Sequence, residues 1–226
     1  MCGNSNPNIL TVDMMRTLHK RHTFTMAGTR GRPGGFTVIE LAVVVIIIGI
    51  IIGLVIKGQS LIAKGQIKQL FTQKTEIATA FNAYYERFAY YAGDDPGASS
   101  RFAGATNGNG NGRVGVGSGV TPPDFACAGT GTEQCDLWFE LREAKYLNGK
   151  GFANPRHVFN GNVALTYNAP GAADAAHWLA FENVPSGVCR ALDKHYDDGI
   201  WNTGSIQGAM DYDTAASGNF TLFFRL

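Results

Sequence analysis

One apolar run decides the architecture available to this chain. Residues 34–57 read GGFTVIELAVVVIIIGIIIGLVIK, and the sixteen positions from 41 to 56 are all apolar or glycine. Counted back to Phe36 the run has twenty-one residues, enough for a helix rising about 1.5 Å per residue to cross a hydrocarbon core of roughly 30 Å. The run is predicted to span a membrane. One carboxylate, Glu40, interrupts its head, and a charge inside a spanning segment costs on the order of 2 kcal/mol or more unless a partner meets it. Glu40 is therefore a candidate functional residue in need of a cation.

Charge is divided unevenly around the run. Residues 1–35 carry Arg16, Lys20, Arg21, Arg30 and Arg32 against Asp13, while the rest of the chain has 14 basic and 17 acidic residues. A basic leader stays in the cytoplasm and sends the C-terminal part across, although Lys57, Lys64, Lys68 and Lys74 oppose that bias. The slightly acidic remainder argues against a nucleic-acid surface, and no nucleic-acid partner is expected. The leader has no period of helix or strand and is read as a targeting segment. Met26 offers a later start that leaves the short basic leader MAGTRGRPGG.

The residues Gly35-Phe36-Thr37-Val38-Ile39-Glu40, with a basic leader before and an unbroken apolar run after, resemble the processing site of the type IV prepilin and type II secretion pseudopilin family. The resemblance implies cleavage after Gly35 by a dedicated membrane peptidase and N-methylation of the new terminus, Phe36. It further implies pairing of Glu40 with the Phe36 amine of a neighbouring subunit, so that each charge relieves the other's desolvation. The implied partners are other pilins in a homo- or hetero-oligomeric filament, the prepilin peptidase, an assembly ATPase with its inner-membrane platform, and membrane lipid. The implied location is the bacterial inner membrane, single-pass with a cytoplasmic N-terminus, and then a periplasmic or cell-surface filament. An ordinary secretory signal fits less well, since its apolar region is shorter and ends at an A-x-A-like site. A second resemblance to a subset of pilin-like proteins covers GDDPG (93–97), LDKHYDDG (192–199) and NTGS (202–205). Within the class the alternative is a type II secretion pseudopilin driving protein export. Outside it, the alternative is a membrane-anchored enzyme or binding module.

The helix is predicted to continue past the membrane. No proline occurs between residues 36 and 95, and Ile67, Leu70, Phe71, Ile77, Phe81, Tyr84 and Phe88 fall at spacings of three, four and seven, an apolar stripe of 3.6-residue period. The spanning part is placed at 36–56 and the amphipathic part at 57–91, together a stalk for a head domain over 92–226. Gly49 and Gly53 form a G-x-x-x-G in the apolar run, which permits close approach of another helix during assembly. After the stop signal at 93–97 comes a glycine-rich loop over 97–131, ten of its 35 residues glycine. Asp94 and Asp95, with Asn107, Asn109 and Asn111 at alternate positions, are weak calcium candidates. Asn in place of Asp leaves such a site short of charge, so a polar loop is the favoured reading. Asp197 and Asp198 are candidates of the same kind, with a hydrogen-bonded Asx turn favoured. The expectation is no metal site, and calcium is the one cofactor these residues would suit.

The head is predicted to hold a short amphipathic helix over 133–146, carried by Leu137, Trp138, Leu141 and Lys145, strands at 162–167, 177–184 and 220–226, and a helix capped by Ser186 that runs through His195. Strands laid over a helical stripe make an α+β fold: a long N-terminal transmembrane-plus-amphipathic helix packed on a small antiparallel β-sheet head, the pilin-like layout. Cys2 falls in the leader. Of Cys127, Cys135 and Cys189, the first two sit eight apart across a Gly/Thr loop and form the expected disulfide, with Cys189 left free or buried. No C-x-x-C or H-x-x-x-H spacing favours zinc. His157, His177 and His195 are scattered, and G-x-S-x-G, H-E-x-x-H and phosphate-loop motifs are missing. The expectation is a structural subunit of a type IV pilus-like filament, not an enzyme.

Overall fold

The computed structural model of the protein describes residues 34–115, 120–169, 175–212 and 218–226. Residues 1–33, with Cys2, Met26 and most of the segment expected to be a leader, lie outside them. The chain forms two units, Met1–Gly49 and Ile50–Leu226. The long helix α1, Val38–Phe88, begins in the first and supplies the first element of the second.

In the first unit, residues 34–37 have no regular structure and are exposed. The Thr37 carbonyl accepts the Leu41 N–H at 3.2 Å, which starts the helix. α1 is long and apolar enough to cross a membrane, and the apolar side chains of its first half are exposed.

In the second unit α1 changes character. Leu70, Ile77, Ala80, Phe81 and Tyr84 are buried, with Ile67, Phe71 and Phe88 packed at the edge of the same core. The stripe read from the sequence is thus the face on which the head is built. The helix stops at Phe88, short of 91, because Ala89 turns left-handed with φ of 60°. Gly93, at φ 86°, completes the reversal, and a Cβ there would lie 2.2 Å from the Glu133 carbonyl oxygen. Only glycine fits that approach.

The head adds α2 (Ala98–Arg101), α3 (Glu133–Glu143), β1 (Val163–Tyr167), β2 (His177–Pro185), α4 (Ser186–Tyr196), β3 (Ile206–Gly208) and β4 (Asn219–Arg225). The four strands form one antiparallel sheet in the order β1-β2-β4-β3. Alternation along each strand makes two faces. Leu165, Leu179, Phe224 and Ile206 pair across all four strands, and Val163, Phe181 and Leu222 form the next row; both rows enter the cluster that holds the α1 stripe and α3's Leu137, Trp138 and Leu141. Burying side chains of this size is worth roughly 1.5–3 kcal/mol each, so these rows are the main cohesion of the head. Trp178, Ala180 and Phe223 on the opposite face pack with Ala169 and Phe125.

The segment that brings Phe125 there is pinned by buried Asn154, which accepts the Cys127 N–H at 2.9 Å and donates to the Asp124 and Val163 carbonyls at 2.8 and 2.9 Å. Cys127 and Cys135 are disulfide-bonded across this segment with Cα atoms 5.2 Å apart, and Cys189 is a buried free thiol that burial pushes up to about 12.

Several sequence expectations are corrected. The sheet has a fourth strand beyond the three expected, β3, which is three residues long and too short to show a period. α2 sits inside the loop placed at 97–131. Helix α3 ends at Glu143, and Lys145 lies beyond it with φ of 66°. Ser186 does not cap α4: Pro185 occupies the cap position with no side-chain bond, and Ser186 is the first helical residue.

Candidate functional site

The first candidate site is the start of α1. Thr37 and Glu40 form a reciprocal capping box: the Glu40 carboxylate accepts the Thr37 N–H and hydroxyl at 3.1 Å each, and Thr37 Oγ1 accepts the Glu40 N–H at 3.3 Å. The T-x-x-E spacing before an apolar run is the sequence signature of this device, so Thr37 is a site residue that motif reading could have supplied. Glu40 also sits in the first turn, where the positive end of the helix dipole favours an anion. The carboxylate is therefore satisfied within its own chain. Both residues are exposed, and this acceptor is open to an incoming cation. Immediately ahead, Gly35 and Phe36 lie in non-helical, exposed backbone, the form in which a peptide bond can be reached by a protease. Phe36 itself is 78% exposed.

Gly49 and Gly53 lie inside α1, and a Cβ at either position would meet nothing within 4 Å. Neither glycine is required by the chain's own packing, which leaves each free to admit a neighbouring backbone.

No family model, curated protein or solved structure matches this chain.

The second candidate site is the turn that follows α1, where Asp94 and Asp95 are fully buried. Their carboxylates are occupied by internal donors. Asp94 accepts the Asn111 and Gly112 N–H groups at 3.1 and 2.7 Å. Asp95 accepts the Tyr84 hydroxyl at 2.9 Å, the Gly97 N–H at 2.8 Å and the Arg101 guanidinium. Asn107 caps Ser99 at 2.8 Å, Asn109 receives the Asn111 N–H at 3.0 Å and donates to Glu133, and Asn111 receives the Arg113 N–H at 2.8 Å. The Asn–Gly run wraps the acidic turn, its backbone amides filling the role sketched for calcium. Gly108 makes the wrap feasible, since a Cβ there would fall 2.4 Å from Asp94 Cα.

The same corner holds Glu140 of α3. It is fully buried, accepts the Gly93 N–H at 2.8 Å through Oε2, and leaves Oε1 without a partner. Burial pushes its pKa up to about 8, against the opposing pull of the Gly93 N–H and the Tyr84 hydroxyl. Burial likewise drives the Tyr84 phenol upward, with the Glu140 charge second.

The third candidate, Asp197 and Asp198, joins buried Asp193, with one carboxylate oxygen from each within 4.8 Å of the others. Asp197 receives the Ser205 and Ile206 N–H groups at 2.6 and 2.7 Å, Asp198 the Ile200 N–H and Thr203 hydroxyl at 2.8 and 2.6 Å, and Asp193 the Gly199 N–H at 2.9 Å and the Tyr212 hydroxyl. This is a hydrogen-bonded turn frame tying the end of α4 to β3, the arrangement Asx chemistry produces. Asp124, Cys127 and Cys135 also cluster, but both sulfurs are committed to the disulfide.

His157 and His177 are packing groups, while His195 is exposed beside Tyr196. His177 is buried against the rings of Phe81, Tyr91 and Tyr167, accepts the Val114 N–H at 3.2 Å, and is lowered by burial to about 4. His157 bonds the Glu182 carbonyl at 2.7 Å through Nε2 and accepts the Phe159 N–H through Nδ1 at 3.3 Å, an arrangement that makes Nε2 the donor.

Proposed function

We propose that the chain is a structural subunit of a type IV pilus-like filament, cut after Gly35, N-methylated at Phe36 and assembled through its first helix. The observation that carries the reading is the state of Glu40. A lone carboxylate heads an apolar run that is uninterrupted from Leu41 to Ile56, and the chain supplies it with hydrogen-bond donors but, among the described residues, no ion-pair partner. Cutting after Gly35 creates a cation four residues upstream, about 6 Å away along a helix axis and so near the depth of Glu40. A neighbouring subunit's Phe36 amine then offers Glu40 what its own chain does not, and the two charges offset each other's desolvation.

Two further features support the reading. The peptide at Gly35 is exposed and non-helical, and the first half of α1 is an exposed apolar surface with open glycine positions at 49 and 53. The head is a compact α+β body closed by a disulfide, a bond that persists in the oxidising medium outside the cytoplasm. Its buried histidines and turn-bound carboxylates are in structural use, and the subunit acts mechanically.

The test begins with N-terminal sequencing of the protein from membranes and from sheared surface fractions. The expected terminus is methylated Phe36, and retention of residues 1–35 refutes the proposal. A pair of variants then separates capping from charge pairing. Glu40→Gln keeps an oxygen for Thr37 but has no charge, whereas Glu40→Val loses both. Both should insert in the membrane and fail to assemble; normal filaments from Glu40→Gln would reduce Glu40 to a helix cap.

A further inference from the structure

A groove of about 410 Å³ lies between α1 and the C-terminal end of α4, lined by Lys64, Ile67, Lys68, Ala191, His195 and Tyr196. Its floor is apolar and aromatic: Phe71 stacks on Tyr196 with ring centroids 3.9 Å apart. Lys64 and Lys68 stand exposed at the rim, and neither has an ion-pair partner among the described residues. Spacings of seven and four put Lys57, Lys64 and Lys68 on one face of α1, with exposed Leu61 between them on that face. The carboxylates that flank His195 and Tyr196 in sequence, Asp193, Asp197 and Asp198, accept hydrogen bonds from the turn that follows α4.

From this geometry we infer that the groove binds the headgroup of an anionic phospholipid in the leaflet from which α1 emerges. The inference rests on the membrane-anchored reading above and adds a ligand to it. Continuity is the first argument. Ile50, Ile51, Ile52, Leu54, Val55 and Ile56 are exposed apolar side chains of the same unit, and exposed Leu61 and Ile62 carry that surface to within two residues of Lys64, about 3 Å along a helix axis. An acyl chain lying on Leu61 brings its phosphate to Lys64 and Lys68, whose stems follow the apolar surface and present the ammonium groups to the headgroup layer.

Charge is the second argument. Lysines on the far side of a spanning helix run against the usual orientation bias, and these two lack an internal anion. A lipid phosphate supplies one. Tyr196 beside them is 41% exposed and has the amphipathic character that favours the bilayer interface.

The test uses the full chain in nonionic detergent, titrated with dihexanoyl phosphatidylglycerol, dihexanoyl phosphatidylcholine or inorganic phosphate. Binding is read by native mass spectrometry, and lysine acylation rates at Lys64 and Lys68 are compared with that at Lys150. Phosphatidylglycerol should slow acylation at the two groove lysines alone. Each lysine near an anionic surface contributes about fivefold in affinity, so Lys64→Gln with Lys68→Gln should weaken phosphatidylglycerol about 30-fold, while Lys145→Gln with Lys150→Gln leaves it unchanged. Equal binding by parent and groove variant overturns the proposal. So does equal protection by phosphatidylcholine, or by inorganic phosphate, which would mark a simple anion site. Protection without lipid that grows with protein concentration would give the groove to a second copy instead. A chain that keeps its leader yet shows the lysine-dependent lipid response loses only the filament reading. A processed chain without that response loses only this site.

Discussion

Replacing Glu140 with glutamine isolates the cost of keeping one carboxyl group in the corner where α1, the acidic turn and α3 meet. Glu140 has no solvent exposure, one hydrogen bond from Gly93 and an orphan Oε1. Burial pushes the group from an ordinary 4.5 up to about 8. Between those values the folded protein holds a proton that the unfolded chain releases. Stability therefore falls as pH rises from about 4.5, by up to about 1.4 kcal/mol per pH unit, and levels off above about 8. The full loss is about 5 kcal/mol, a large share of a domain's usual 5–15 kcal/mol.

Glutamine never ionises and still offers Gly93 an oxygen. Glu140→Gln and the parent should thus be within about 1 kcal/mol of each other at pH 4.5, and the variant should be the more stable by several kcal/mol at pH 9. Half-buried Glu133, also raised by desolvation, acts alike in both proteins and cancels from the difference, whereas the charge of buried Asp136 helps to raise Glu140 and belongs to the difference. Urea unfolding of the full chain in detergent, followed by tryptophan fluorescence, reads this directly, because Trp138 on the same helix is fully buried. A variant-minus-parent stability that stays constant from pH 4.5 to 9 would refute the argument.

Two more perturbations probe the head. Changing both Cys127 and Cys135 to serine opens a loop of sequence separation 8 and should lower stability by roughly 2.5 kcal/mol; melting that is identical with and without reductant in the parent would deny the bridge that role. Gly108→Ala forces a methyl group onto the Asp94 backbone and should cost about 2 kcal/mol or more, whereas Ala98→Gly in α2 should cost no more than about 1 kcal/mol; the two are compared by thermal denaturation, and an unaffected Gly108→Ala protein would mean that the wrap around Asp94 is dispensable.

How much of this could be read from the chain depends on the range of the forces involved. The α1 stripe at Leu70, Ile77, Phe81 and Tyr84 was legible because helix period and burial coincide over many turns. Three strands were legible because runs of five residues or more rich in apolar and aromatic side chains are bounded by Gly, Pro or Asn, although Trp178 and Phe223 make the opposite face apolar as well. β3 was not, since its three residues gain strand character only by pairing with β4. The Asn–Gly run reads locally as a polar loop. Its order comes from buried Asp94 and Asp95, which recruit its amides from up to 18 residues away, and nothing in composition marks those amides as the chosen donors. Ser186 shows the reverse failure: a good capping residue is set one position too late, behind a proline whose φ of −59° already suits the start of a helix.

The capping box at Thr37 and Glu40 changes how assembly must be framed. A carboxylate held by two donors of its own chain is not waiting unpaired, so an incoming Phe36 amine has to displace or share bonds that already exist. A neutral hydrogen bond contributes about 1 kcal/mol net, and one to a charged group about 1.5–3 kcal/mol. In the proposed assembly the amine wins that exchange in the apolar part of the bilayer, where an unneutralised carboxylate is most costly, and gains little in water, where the cap already suffices. On that proposal the box holds Glu40 before processing, and the medium around the helix head decides when it yields.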